Sequence, residues 1–363
     1  VGTFRQEEAL VDNIRVAPNL SLGRFFPDGS LNIDDNEYTT TSYAAFGQVV
    51  WSITDAFSAT LGLRYTYEKK EREGSQITEP KTVIDIPPVA GPDIFYDEDR
   101  SDSDVSPSLN LRYFFTPDAM GYALISRGFK SGGFNQRREV VGSSGEFDEE
   151  IATNYELGWK TSWVNRRLQF NGTLFYVTYD DYQSQTFHGA TLKVTNAGNM
   201  ESYGTELELV FIPIVNMTIG SAIGYNKAEY DSFDNGQCTV AQAFTQFYIV
   251  DDAQFGSPGT ASGCVQDLAG EPLDNAPEWT VSSYLQYDWE IGDNLFSVMR
   301  LEHSYIEEHF LDQDLDPNLT NDSVNLINLR LSLSNLARDW EAVLWGRNML
   351  DEEYYSFGID IPT

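Results

Sequence analysis

Long stretches of strict two-residue alternation, with charges in the middle of one face, constrain this chain more than any other feature. In residues 57–68 the odd positions are apolar or aromatic, while the even ones are Ser58, Thr60, Gly62, Arg64, Thr66 and Glu68. Residues 151–160 place Asn154, Glu156 and Lys160 on one face. Residues 279–290 set Trp279, Val281, Leu285, Tyr287 and Trp289 against Thr280, Ser282, Gln286, Asp288 and Glu290. Successive side chains of a strand point to opposite faces, so each segment has one greasy and one polar side. Mid-strand charges such as Arg64, Glu156, Lys160 and Glu208 require the polar side to be wet. That suits a sheet standing between lipid and a watery lumen better than a packed sandwich core.

The pattern predicts thirteen strands, at 1–9, 38–52, 57–70, 103–115, 119–129, 150–163, 167–187, 199–212, 215–231, 278–290, 294–307, 322–334 and 339–348. Most exceed the usual strand of about 5–6 residues and are long enough to cross a bilayer at a tilt. Short turns (52–56, 116–118, 164–166, 213–216, 292–294, 336–339) alternate with long polar loops (11–37, 71–102, 131–149, 188–198, 232–277, 308–321). That asymmetry is the mark of an outer-membrane barrel, with short periplasmic turns and long outer loops. Keeping the alternation strict requires residues 168–187 to form one strand. Thirteen is an odd count, and an antiparallel single-chain barrel closes with an even one, so at least one strand is expected beyond this chain. The fold class is therefore all-β, a transmembrane antiparallel barrel, and 1–363 reads as one incomplete domain. A half-exposed sheet in a soluble binding or adhesion module, or a passive porin-like channel, shares the alternation and stays open on these residues alone.

Composition narrows the partners. The formal charge is −33, from 56 acidic and 23 basic residues, which argues against nucleic acid, whose binding needs a cationic surface. No run of 18 apolar residues exists, so no transmembrane helix is expected. The aromatic load of 20 Tyr, 22 Phe and 7 Trp fits the aromatic girdles of a membrane barrel. Cys238 and Cys264 are the only cysteines. Both lie in one long polar loop, and a disulfide between them would imply an oxidising compartment. No metal centre or cofactor is expected. His303 and His309 share a strand face but lie about 20 Å apart, and the Asp312, Asp314, Asp316 spacing lacks the glycine and terminal glutamate of a calcium loop. Catalysis lacks a nucleophile elbow or a triad, so no enzyme is expected.

Five segments then carry a resemblance. SRGFKSGGFN (126–135), NYELGWK (154–160), VTNAG followed by YGTELE (194–198, 203–208), NAPEW (275–279) and WGRNMLDEEY (345–354) occur in the order found in TonB-dependent outer-membrane receptors of the iron-complex type. The chain resembles the C-terminal part of their barrel over most of its length past residue 38. The resemblance implies a 22-stranded barrel in the outer membrane of a Gram-negative cell, with the TonB box, plug domain, early strands and closing strand outside this chain. It also implies uptake of a ferric siderophore or similar iron complex, driven through the TonB complex, in contact with outer-membrane lipid and lipopolysaccharide.

Siderophore complexes are bulky and often anionic, and arginine with aromatics suits them. The candidate ligand-binding residues are Arg127, Phe129, Lys130, Phe134, Asn135, Arg137 and Arg138, the densest cationic cluster of the chain. A second reading has Arg127 and Lys130 pairing with lumen carboxylates while the glycines only allow a bend. Phe244, Phe247, Tyr248 and Phe255, in the loop bounded by Cys238 and Cys264, are candidates for a lid.

Overall fold

The computed structural model describes residues 2–15, 31–79, 94–135, 145–188, 191–242 and 264–358. Thirteen strands form one sheet, numbered here in chain order: β1 (Gly2–Arg15), β2 (Leu31–Ser52), β3 (Phe57–Glu79), β4 (Ile94–Thr116), β5 (Ala119–Lys130), β6 (Glu150–Trp163), β7 (Leu168–Asp180), β8 (Asn199–Phe211), β9 (Met217–Ser232), β10 (Trp279–Ile291), β11 (Leu295–Ile306), β12 (Val324–Asn335) and β13 (Glu341–Gly346). Each pairs only with its neighbours in sequence, and every pairing is antiparallel, so the sheet is a pure meander. Every short turn falls at one end of it. Several of these turns bend through left-handed backbone, at Val164, Asn165, Arg166, Asn216, Gly292 and Arg338.

Register lines up the two faces. Val49, Leu61, Leu109, Ile125 and Tyr155 stand side by side across five strands. Leu63 and Leu157 are 56% and 57% exposed, far more than an apolar side chain would be in water-facing company. On β6, Tyr155 and Trp163 share this outward face eight positions apart. At about 3.3 Å per residue and a tilt of about 40°, that separation is about 20 Å in height, near the apolar band of an outer-membrane barrel. Exposed Trp51, Phe115, Trp163 and Trp340 crowd the short-turn rim, and Tyr65, Tyr155, Tyr176 and Trp279 stand higher. The opposite face is polar and cross-linked. The Tyr122 hydroxyl lies 3.3 Å from Glu156 and 3.1 Å from Thr173, and Arg300 donates to Glu302 at 2.6 Å while lying over the Tyr284 ring.

The structure corrects the expected boundaries in two ways. First, β2, β3 and β4 run to 22–23 residues, so much of the expected loops 11–37 and 71–102 is strand. Above the lipid both faces of a strand are wet, and alternation disappears although the hydrogen-bond ladder continues. Second, residues 168–187 are not one strand of the sheet. β7 ends at Asp180, Asp181 takes a left-handed conformation (φ 55°), and Gln183–His188 pairs with Thr191–Asn196 in a separate hairpin. The chain still rises and returns once, so the alternation of short and long connections survives.

The long-loop end has its own small core. Ala197, Met200, Ala228, Tyr230, Phe233, Leu268 and Leu273 are buried together, with Tyr179, Tyr182, Ala276 and Leu315 packed against them. Tyr179, Tyr182, Tyr230 and Phe233 form a chain of ring contacts at 5.1–6.2 Å between centroids. Cys238 and Cys264 are joined by a disulfide beside this cluster, with 5.7 Å between their Cα atoms.

Candidate functional site at the upper mouth

The motif at 126–135 rises from the top of β5, where the sheet divides. The β4–β5 ladder stops at Ser108–Ser126, while β5 stays paired with β6 up to Lys130–Glu150. Pro107 occupies β4 at the point of division. It carries no N–H to continue a ladder. Arg127 fills the resulting seam, its Nη1 donating to Asp104 Oδ1 at 2.5 Å and to the Val105 carbonyl at 3.0 Å. An open carbonyl and a lumen carboxylate are thereby satisfied by one guanidinium.

Beyond Lys130 the chain folds against the polar face of β3 and is held by three of its side chains. The Ser131 hydroxyl donates to Glu68, Lys70 Nζ donates to the Gly132 carbonyl at 2.7 Å, and Arg72 Nη1 donates to the Asn135 carbonyl at 2.7 Å. Arg72 is fully buried. Its guanidinium stacks 3.4 Å from the centroid of Tyr96, and Nε and Nη2 reach Asn36 Oδ1 at 3.3 Å each. Arg100 on β4 donates to the Phe147 carbonyl at 2.5 Å and pairs with Asp102 at 2.7 Å. Gly132 is required here, because a Cβ would run into the Arg100 guanidinium and the Phe147 carbonyl.

The separate hairpin closes the other side. Asn135 exchanges two bonds with the backbone of Val194, donating at 2.9 Å and accepting at 2.6 Å. Gln183 Nε2 donates to the carbonyls of Ser131 and Asp148 at 3.0 and 2.9 Å, while its N–H donates to Glu150 at 2.7 Å. The result is a loop whose backbone carbonyls are tied to three separate elements, β3, β4 and the hairpin.

Of the sequence candidates, Arg127 is engaged in the seam and Asn135 is buried as a joint between loop and hairpin. Phe129 and Phe134 are half-buried, and Lys130 stands exposed at the strand tip. Arg137, Arg138 and the lid candidates Phe244, Phe247, Tyr248 and Phe255 lie outside the described residues. Sequence reasoning missed Lys70, Arg72, Arg100, Asn36 and Tyr96. For Lys70 and Arg72 alone a trace was present: with Glu68 they keep the even-position parity of β3 past the point where its apolar face ends.

In the loop core, burial pushes the Tyr182 hydroxyl up to about 12, helped by the negative charges of Asp274 and Glu150. Burial also raises the Asp274 carboxyl. Among the described residues no group of three or more acidic, histidine or cysteine side chains is arranged to hold a metal ion.

Residues 4–349 match the family model described as TonB dependent receptor-like, beta-barrel. The chain belongs to this family. Its members are outer-membrane barrels of Gram-negative bacteria, receptors and transporters, and the lipid-facing belt and polar inner face take their meaning from that setting. The pesticin receptor of Yersinia enterocolitica is 29% identical over 179 residues, which are 47% of this chain and 24% of that protein. The ferric yersiniabactin uptake receptor FyuA from Yersinia pestis has the same fold, with a TM-score of 0.69 at 18% identity over 91% of this chain and 45% of the other. The ferric-catecholate import receptor Fiu from K12 E. coli in its closed form aligns with a TM-score of 0.62 at 14% identity, over 97% and 51%. The chain thus spans about half the length of these structures and a quarter of the curated relative.

Proposed function

We propose that this chain is the C-terminal barrel portion of a receptor that takes up a ferric siderophore or similar iron complex by TonB-dependent transport. The observation that carries the reading is the family match together with a braced loop at the outer end of a polar-lined barrel wall. Structural neighbours whose names concern the uptake or import of ferric complexes support the substrate class. Energy coupling through the TonB complex would belong to parts of the receptor that this chain does not span.

Within the mouth the roles divide. Arg127, Asn135, Lys70, Arg72 and Arg100 act as positioning residues, since each holds a backbone or carboxylate group of the mouth. Lys130 at the strand tip, with Arg137, Arg138 and the neighbouring Phe129 and Phe134, forms the capture surface. Cations clustered at the mouth of an acidic protein focus an anionic complex onto it. Phe244, Phe247, Tyr248 and Phe255 serve as a lid over the bound complex.

Radio-iron uptake by a strain carrying the complete receptor tests this, with single ferric siderophores supplied in turn. Deleting the gene should abolish growth on at least one of them. Replacing Lys130, Arg137 and Arg138 together by Gln should weaken binding of that complex about tenfold, or about 1.4 kcal/mol. Equal growth of the deletion strain on every iron source would reject the uptake reading, and unchanged affinity in the triple variant would reject the capture surface.

A further inference from the structure

The lipid-facing side of β2–β5 is not smooth. A trough of about 1070 Å³ runs across it, lined on that face by Ala45, Gly47, Val49, Leu63, Ile125 and Arg127 among others. Its floor is low because Gly47 stands where the neighbouring strands carry larger side chains. A Cβ built at Gly47 would meet nothing within 4 Å. Tyr65 borders the trough at the level of the upper aromatic row, so its upper end lies where headgroups begin.

The β5 corner of this apolar trough holds a cation. Arg127 is placed there by the divided seam, with Thr153 paired beside it in register on the same outward face. Its side chain is 34% exposed. Both of its bonds, to Asp104 and to Val105, leave from Nη1. Among the described residues Nε and Nη2 therefore carry no protein partner. Those two N–H groups form the planar fork that takes a phosphate in two parallel bonds. An apolar trough ending at a phosphate-matched fork is a lipid site with two separable parts.

We propose that this trough binds lipid A of the outer leaflet, one acyl chain lying over Gly47 between the β2 and β5 side chains and one phosphate held by the outer edge of Arg127. The same guanidinium would then bind lipid on one side and brace the mouth loop's seam through Asp104 on the other.

Native mass spectrometry of the complete receptor in detergent tests the site, with lipid A as probe and phosphatidylcholine as the zwitterionic control. Wild-type receptor should retain lipid A through washing in preference to phosphatidylcholine. Gly47→Leu fills open space, and its retention of lipid A should fall about tenfold with the heat-modifiable gel shift of a folded barrel intact. Ala45→Leu should act likewise and serves where Gly47→Leu fails to fold. Arg127→Lys keeps the charge and loses the fork, so lipid A retention should fall while phosphatidylcholine retention stays the same. Equal retention of the two lipids by wild type, or a folded filling variant that holds lipid A like wild type, would overturn the proposal.

Discussion

The middle of the sheet and its upper mouth obey different rules although the same strands build both. In the middle each strand separates lipid from water, and side chains sort by parity: Leu61, Leu157 and Tyr155 outward, Arg64, Glu156 and Lys160 inward. At the mouth, water reaches both faces, and what holds the structure is a network of buried polar bonds centred on Arg72, Arg100, Asn135 and Gln183. The middle depends on a difference in solvent. The mouth depends on geometry.

The sharpest way to break that contrast is to reverse polarity on one face at a time. Leu157→Arg, in the lipid belt, should cost about 2–4 kcal/mol, whereas Glu156→Gln next to it on the wet face should cost under about 1.5 kcal/mol, its loss limited to charge-assisted bonds with Tyr122 and Asn154. Urea unfolding of the receptor in lipid bilayers measures both. Equal costs would mean that the two faces share one environment.

A mouth variant should act locally. Arg72→Met leaves the Asn135 carbonyl and Asn36 Oδ1 without their donor, at about 1–3 kcal/mol. Hydrogen exchange should speed up at residues 131–135 and leave β6 and β7 unchanged. Exchange accelerating throughout the barrel would show that the mouth network supports the whole sheet.

The loop core should respond to pH in one direction. Tyr182 is neutral in its buried site and has its hydroxyl raised to about 12, so its contribution is complete below the ordinary tyrosine value near 10 and is lost as pH climbs through about 12. Tyrosinate absorbance with exchange at 182–188 and 228–233 should report opening of the cluster in that window. Opening that is complete below pH 10 would contradict burial of this hydroxyl. The smallest effect is expected at the short turns. Arg166 and Asp118 pair at 3.0 Å but are both well exposed, and Arg166→Ala should change stability by less than about 1 kcal/mol.

The same contrast explains what could be read from sequence. Strand positions in the middle were legible because Phe57 to Glu68 alternate without exception, and lipid on one side enforces that. The upward extensions of β2–β4 were not, because Lys69, Glu71 and Asp99 on the outward side are as polar as Lys70 and Arg100 on the inward side. The break at Asp181 was also hidden: the alternation of short and long connections called for one strand over 168–187, and the left-handed turn at Asp181 instead diverts the chain into a separate hairpin. The motif at 126–135 was legible as a marker, and of its two readings Arg127 follows the one that pairs it with a lumen carboxylate, Asp104. The gap that Pro107 opens on another strand, which Arg127 fills, is exposed by no local pattern.

Spin labels placed singly at residues 153–160 of β6 in the complete receptor, reconstituted into liposomes, test the central claim most directly. Collision with oxygen should be high at Tyr155, Leu157 and Trp159 and low at Asn154, Glu156 and Lys160, with a water-soluble nickel chelate giving the opposite phase. Accessibility that does not alternate, or that favours the chelate at Leu157, would contradict a sheet with lipid on one face and a wet lumen on the other.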